Sequence, residues 1–219
     1  MHNKHGRIWT LVMLFIILVL PLIALLLLKK GFETRRDAPA SDRLWQSDLQ
    51  LIPPYLTVSF RGDTITNRRM LGKVTVLHFT RHACVPAIDA RMRRLYDIQD
   101  DYYGKTLSLR IITNTLDPIA DDMTDLRHTS ERYAGREIWH FVSGADSSGV
   151  RLYLWCDSIA QQISPYTEPD PACPRLVYLV DSDGYLRGAY DLEEESQFHD
   201  LYNDILFLVN KLDLDEQEK

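Results

Sequence analysis

Cysteine is scarce: three residues, Cys84, Cys156 and Cys173, in a chain of 219. Three thiols allow at most one disulfide with one left over. Without a Cys-x-x-Cys pair they fit neither a disulfide scaffold nor a paired-cysteine zinc module. There is also no glycine-rich phosphate loop, no Ser-His-Asp order and no carboxylate pair with a plausible cleft. No basic face alternates with aromatics, and the net charge is −6, so nucleic acid is excluded as a partner. Thiol–disulfide exchange by Cys84 and Cys173 is the one enzymatic reading that the residues keep open.

Charge is absent over residues 8–28. At 1.5 Å per residue such a helix spans the roughly 30 Å hydrocarbon core of a bilayer, and Pro21 kinks it without forbidding it. A cleaved signal peptide has a shorter apolar core with small residues close behind. Here Lys29-Lys30 follows directly and Ala38-Pro39-Ala40 lies too far away. Lys4 and Arg7 precede the run. Lys29, Lys30, Arg35 and Arg36 follow it, partly offset by Glu33 and Asp37, so charge alone does not orient the span. The expected organisation is a membrane anchor over 1–30, a polar juxtamembrane linker over 31–50, one folded domain over 51–212 and an acidic tail over 213–219. The domain is long enough for a single well-formed core.

Pro53-Pro54 starts an extended run, Tyr55–Phe60. Arg61-Gly62-Asp63 turns it, and Thr64–Thr66 returns as a short strand. Val74–Phe79 is rich in branched and aromatic residues and reads as a central strand. It runs into a short loop carrying Cys84. Pro86 then suits the first turn of a helix with Ile88, Met92, Leu95, Tyr96 and Tyr103 at helical spacings, closed at Gly104. A strand over Leu107–Thr113, a helix from Asp117-Pro118 to about Tyr133, and a strand over Ile138–Val142 follow. A helix around Ser147–Ala160 presents Leu152, Trp155, Cys156 and Ile159. Residues 161–174 are a proline-rich loop. Leu176–Val180 and Tyr185–Tyr190 form a hairpin around Asp181-Ser182-Asp183-Gly184. An amphipathic helix over 193–211 carries Phe198, Leu201, Ile205, Leu206 and Val209. Strands separated by helices require parallel pairing with right-handed crossovers. The predicted fold class is α/β: a thioredoxin-like mixed sheet with helices on both faces, preceded by a transmembrane helix.

Gly72-Lys73-Val74, Phe79-Thr80, Pro86 and Met92 have a familiar order. So do Asp117-Pro118, Tyr133-Ala134, Trp139-His140-Phe141, Ser143-Gly144 and the run Leu179-Val180-Asp181 to Gly184-Tyr185-Leu186-Arg187-Gly188-Ala189-Tyr190-Asp191. Over residues 42–211 the chain resembles the Sco (SenC) family. The resemblance implies a membrane-anchored, thioredoxin-fold domain that handles copper during cytochrome c oxidase assembly, with an oxidase subunit or another respiratory assembly factor as partner. It also implies a single-pass inner-membrane location with the domain facing the periplasm. Family members hold copper with both cysteines of Cys-x-x-x-Cys and a histidine before the late strand. Anchored on Phe79-Thr80, the first of those cysteines falls on His82. Anchored on Pro86 and Met92, the pair falls on Arg81 and Val85. The family histidine falls on Cys173, so the metal site is incomplete relative to the family.

Three readings of the remaining residues stay open. Cu(I) is soft and prefers thiolate, with imidazole as a companion, so Cys84, Cys173 and His82 form a candidate rearranged copper site. Alternatively, Cys84 and Cys173 pair as a disulfide, structural or redox. In that case Cys173-Pro174 stands where thioredoxin-like folds keep an X-cis-Pro, and the helix N-terminus and Arg81 lower the pKa of Cys84. In the third reading the metal site has been lost and the domain works as an interaction or scaffolding surface. Cys156 reads as core, and His78 as a strand histidine satisfied in the core or at an edge. His128, His140 and His199 read as surface or structural. Asp117, Asp121-Asp122 and Glu193-Glu194-Glu195 read as helix N-terminal carboxylates.

Overall fold

The computed structural model describes residues 4–36, 39–47, 49–81, 84–117, 123–143, 148–163 and 173–217. It divides into two units, residues 1–38 and 39–219. The first unit is one helix, α1 (Lys4–Arg36), containing Pro21. Its Met13–Lys30 stretch is, among the described residues, the one helix long and apolar enough to cross a membrane. The helix continues past the apolar run to Arg36, six residues into the stretch expected as linker.

The second unit is built on a seven-stranded sheet of β1 (Leu56–Ser59), β2 (Thr64–Thr66), β3 (Val74–Thr80), β4 (Leu109–Thr115), β5 (Trp139–Ser143), β6 (Leu176–Val180) and β7 (Leu186–Asp191), in the order β2-β1-β5-β4-β3-β6-β7. The β3–β4 and β4–β5 pairs are parallel, and β3–β6, β6–β7 and β1–β5 are antiparallel. Both expected hairpins are present. The first is built onto the free edge of β5, a placement the local sequence does not specify. Six of the seven β3 residues are buried, which accounts for the near-continuous apolar run at the centre of the sheet.

The helices of this unit are α2 (Asn67–Met70), α3 (Val85–Tyr102), α4 (Met123–Arg132), α5 (Ser148–Ile163) and α6 (Glu195–Gln217). The single-turn α2, capped by Thr66, has too short a pattern to be expected from sequence. α6 runs on to Gln217, through most of the stretch expected as a solvated acidic tail. Ser108 Oγ donates to Asp213 there at 2.7 Å.

The two faces of the sheet carry separate cores. One packs Val74, Val76, Ile111, Trp139 and Phe141 under Met92, Leu95 and Ile98 of α3, Leu126 of α4 and Leu201, Ile205 and Val209 of α6. The other packs Leu77, Phe79, Ile112 and Tyr178 under Leu152, Tyr153, Cys156 and Ala160 of α5. At the start of α5, Gly149 lies so close to β4 that a Cβ would meet the Asn114 side chain at 2.5 Å. A bulkier residue would therefore push the helix off the sheet. Gly184 closes the β6–β7 turn with φ +87°, a left-handed conformation that glycine adopts without strain.

The outer edge of β7 is covered by residues from the expected linker. Trp45 N donates to Arg187 O, Leu186 N donates to Gln50 O, and Ile52 N donates to Gly184 O. Unpaired edge N–H and C=O groups invite foreign strands, and this segment satisfies them internally. It is fastened at its start by Asp204 of α6. The fully buried carboxylate accepts from Ser41 N and Ser41 Oγ, both at 2.6 Å, and from the Tyr190 hydroxyl at 2.7 Å. Leu44 is buried beside it. Asp204→Ala orphans three donors, and the expected loss is about 3 kcal/mol. Urea unfolding of the full chain in a neutral detergent measures this, and amide exchange at Ser41 should accelerate along with it.

His78 of β3 is completely buried. Its Nδ1 lies 3.3 Å from Thr113 Oγ1, which itself accepts from Trp139 Nε1 at 2.9 Å. Its Nε2 has no hydrogen-bond partner. The histidine is thus a core residue as expected, but only half satisfied. Burial, reinforced by the Arg91 charge, pulls its pKa down to about 3. The unfolded ring takes a proton near pH 6.5 while the folded ring refuses it until about pH 3. Stability tied to His78 is therefore complete above about pH 6.5 and falls as the pH drops towards 3. Between pH 7 and pH 5 the expected loss from this ring is about 2 kcal/mol. Urea midpoints at the two pH values should show it in the native chain, and the dependence should shrink in His78→Leu.

Candidate functional site

Three features of the chain converge at the C-terminal end of β3. The strand ends at Thr80, a short loop leads to Cys84, and Cys84 is the residue immediately before α3, with its N–H donating to Arg81 O at 3.0 Å. β6 runs antiparallel to β3, with His78 opposite Val177. The segment leading into β6 therefore arrives at the same end of the sheet, and that segment is Cys173-Pro174-Arg175. Cys84 and Cys173 are joined by a disulfide, with an S–S distance of 2.06 Å and Cα atoms 5.7 Å apart across 89 residues of chain. The sequence places both cysteines in loops far apart along the chain. The β3–β6 register brings them together.

Cys84 is buried and Cys173 half-buried. No cis peptide bond occurs among the described residues, so Cys173–Pro174 is trans and the expected X-cis-Pro is absent. Arg91 takes over the holding of this segment. Its side chain is 2% exposed, its Nη1 donates to Pro174 O, and its Nε pairs with Glu193 at 3.6 Å. Burial lowers its pKa, while Glu193 and Asp191 act in the opposite direction. One residue on, Arg175 pairs with Asp191 at 2.5 Å. The cysteine loop is thus tied to α3 on one side and to the end of β7 on the other. Sequence analysis missed Arg91, yet a signal was present. Residues 88, 91, 92 and 95 share one helix face, so an arginine at 91 interrupts an apolar stripe.

The guanidinium of Arg81 is turned onto Asp117, at 3.2 Å, rather than being free to act on Cys84 alone. Asp117 follows β4, and its own N–H donates to Thr115 Oγ1 at 3.2 Å. His82, Asp121 and Asp122 lie outside the described residues. Among the described residues no group of three or more His, Cys, Asp or Glu side chains is arranged to hold a metal ion. Cys156 is the free cysteine. It is buried in the core under α5, and burial raises its thiol pKa well above the ordinary value, which makes it unreactive. His128 is exposed, 3.7 Å from Glu131. Glu193 and Glu194 precede α6 and Glu195 begins it, with Glu195 paired to Arg94.

In the bonded form neither sulfur is a thiolate, so the pair offers a metal no anionic ligand. Reduction would break the S–S bond and leave two facing thiols beside a helix N-terminus, which suits a soft, thiolate-seeking ion. The same change makes the pair a two-electron centre.

The model of the SCO1/SenC family matches residues 46–205. A SCO1 protein homolog of Bacillus subtilis (strain 168) is 21% identical over 155 residues, 70% of this chain and 80% of that protein. The fold superimposes on the structure of BsSco, described as a member of the Sco family of cytochrome c oxidase assembly proteins with a disulfide switch. The TM-score is 0.57 at 18% identity, over 77% of this chain and 98% of that one. It also superimposes on ScoI of Bradyrhizobium japonicum with copper bound, at TM-score 0.52 and 14% identity, over 74% of this chain and 98% of that one. At these identities the superpositions establish the thioredoxin-like fold. The family match spans the sheet, both cysteine loops and most of the helices, and on it the chain belongs to the SCO1/SenC family.

Proposed function

We propose that this chain is a membrane-anchored Sco-type protein of copper handling in cytochrome c oxidase assembly, and that its working centre is the Cys84–Cys173 pair. The observation that carries the reading is the disulfide itself, which joins two segments 89 residues apart at the sheet end where the chain departs from the family's Cys-x-x-x-Cys. In this reading a dithiol reductant delivers two electrons and two protons, the S–S bond breaks and two thiols form. Loss of their protons gives thiolates that take Cu(I) as cargo. Cys173 stands where the family places a histidine, and His82 is proposed as the third ligand. The relatives' association with oxidase assembly and with copper supports the role, and an oxidase subunit or assembly factor is the proposed partner. The helix over Met13–Lys30 supports a single-pass anchor, and a periplasmic domain is the location that fits an oxidising compartment with a disulfide.

The bonded state also favours a second reading, in which the pair exchanges electrons with a partner disulfide and carries no metal. Cu(I) titration of the full chain in neutral detergent, against a chromophoric Cu(I) chelator, separates the two. The reduced protein should bind one Cu(I) per chain, while the oxidised protein and the Cys84→Ser, Cys173→Ser double variant should bind none. Equal retention by the reduced protein and the double variant would sink the copper reading. A thiol-labelling count adds a check on the centre. Maleimide should find no thiol in the oxidised folded protein and two after reduction, and the third, Cys156, only after unfolding.

A further inference from the structure

At the opposite end of the sheet the structure gathers several positively charged side chains. Arg61, Arg69, Lys73 and Arg110 direct their side chains to backbone carbonyls: Arg61 to Gly135 O, Arg69 to Thr64 O, Lys73 to Leu107 O and Arg110 to Arg69 O. No carboxylate of the described residues ion-pairs with any of the four, although the chain has a net charge of −6. The cations crowd one another. Lys73 is driven towards its neutral form by burial and then by Arg110, and Arg110 likewise by burial and then by Arg69.

Register places the rest of the cluster. Thr75 of β3 lies opposite Arg110 of β4, and His140 of β5 lies opposite Ile112, two residues along from Arg110. Cross-strand partners share a face, so Thr75 and Arg110 stand side by side, and His140 lies on the same face, diagonal to Arg110 and one step further along the next strand. Two of them are incomplete. Thr75 is fully buried with no partner for its Oγ1, and the Nδ1 of half-buried His140 is buried without one. The groups acting on His140 are Arg110, Asp63, Arg61 and Lys73. Burial comes first, and with the three cations it outweighs Asp63, so the ring is neutral above about pH 4. A buried hydroxyl and ring nitrogen left unmatched in the neighbourhood of cations that have no ion-pair partner among the described residues is a costly arrangement for the free protein. It becomes favourable when an anion with several acceptor oxygens enters.

We propose that Arg110, Lys73, Thr75 and His140 form a binding site for a phosphate-type oxyanion, at the end of the sheet remote from the disulfide. A guanidinium, an ammonium, a hydroxyl and a ring N–H match the several acceptor oxygens of a phosphate group. Arg61 and Arg69 add field from the rim, and Asp63 limits how much negative charge the site takes. β3 has seven residues, so the site lies roughly 20 Å from Cys84, and binding there does not compete with the thiol chemistry. The site rests on its own residues and stands or falls apart from the copper reading. The phosphate group has two sources, free phosphate and the headgroup of an anionic lipid, and both present the same oxygens.

The test is calorimetry on the full chain in neutral detergent, with inorganic phosphate in one arm and monomeric dihexanoyl-phosphatidylglycerol in the other, and acetate as the comparison anion. The native chain should bind a phosphate-bearing ligand at least tenfold more tightly than acetate. Arg110→Met and Lys73→Met should each weaken it tenfold or more, and Thr75→Val, which keeps shape and removes the hydroxyl, about threefold. Lys211→Gln, on the exposed side of α6, should leave it unchanged. Phosphate binding should also raise the pH at which the His140 ring resonance titrates. Binding in the phosphate arm supports a free-phosphate site, and binding in the lipid arm alone supports a headgroup site. No binding in either arm, or equal weakening by Lys211→Gln, overturns the proposal.

Discussion

The antiparallel pairing of β6 against β3 is the constraint from which the rest of this structure follows. β3 is already committed on its other side to β4 in a parallel ladder. A strand flanked on both sides and buried on both faces cannot slide, because a one-residue slip would turn Val76 and Leu77 to the wrong cores. With the register set, the segment before β6 must arrive where β3 ends. Cys84 and Cys173 meet for that reason, and Arg91 of α3 lies where it can reach Pro174 O from beneath.

The same sheet separates two chemistries. At the end where β3 terminates, sulfur sits at a helix N-terminus with arginines paired to carboxylates, Arg81 with Asp117 and Arg175 with Asp191. At the end where β3 begins, Arg61, Lys73 and Arg110 donate to carbonyls and, among the described residues, pair with no carboxylate. Arginines near the disulfide have carboxylate partners, whereas around His140 three cations outweigh Asp63. Lys73 and Arg110 are half-buried and Arg61 and Arg69 exposed, and cations held close together lower the stability of the free domain, a cost typical of residues kept for binding rather than for folding. Asp204 shows the contrasting pattern. It is fully buried, yet three donors satisfy it, and it serves to fasten Ser41 and Tyr190.

Most of the architecture was legible in the chain. Pro53-Pro54 and the turn residues mark β1 and β7, the apolar runs mark β3 and β6, and helical spacing of apolar residues marks α3, α5 and α6. The boundaries that moved did so for local reasons. β4 runs two residues beyond expectation because Asn114 and Thr115 pair with Val142 and Ser143, polar residues that join the ladder through their backbones. Residues 39–47 and 49–52 carry no periodic pattern because they bond as an edge cover, with backbone groups doing the pairing and, among the described residues there, Leu44 and Ile52 buried. The site was legible in part. Cys84 and Cys173 stood out as the two loop thiols, whereas Arg91 showed only as an arginine interrupting the apolar stripe of α3, and His140 looked like an ordinary strand residue. The trans Cys173–Pro174 bond departs from the thioredoxin-like expectation, and nothing in the dipeptide signals the isomer.

By itself, then, the sequence determined the apolar helix, the order of strands and helices, the α/β class, the family and the identity of the sulfur atoms. These are properties of composition and short-range period, which neighbouring residues encode together. Tertiary structure alone decided which residues meet: the disulfide across 89 residues, the clamp of Arg91 on the cysteine loop, the fastening of Ser41 by Asp204, and the gathering of cations beside His140. Each of these depends on strand register and on which face a side chain takes, and both are set only when distant segments close the sheet.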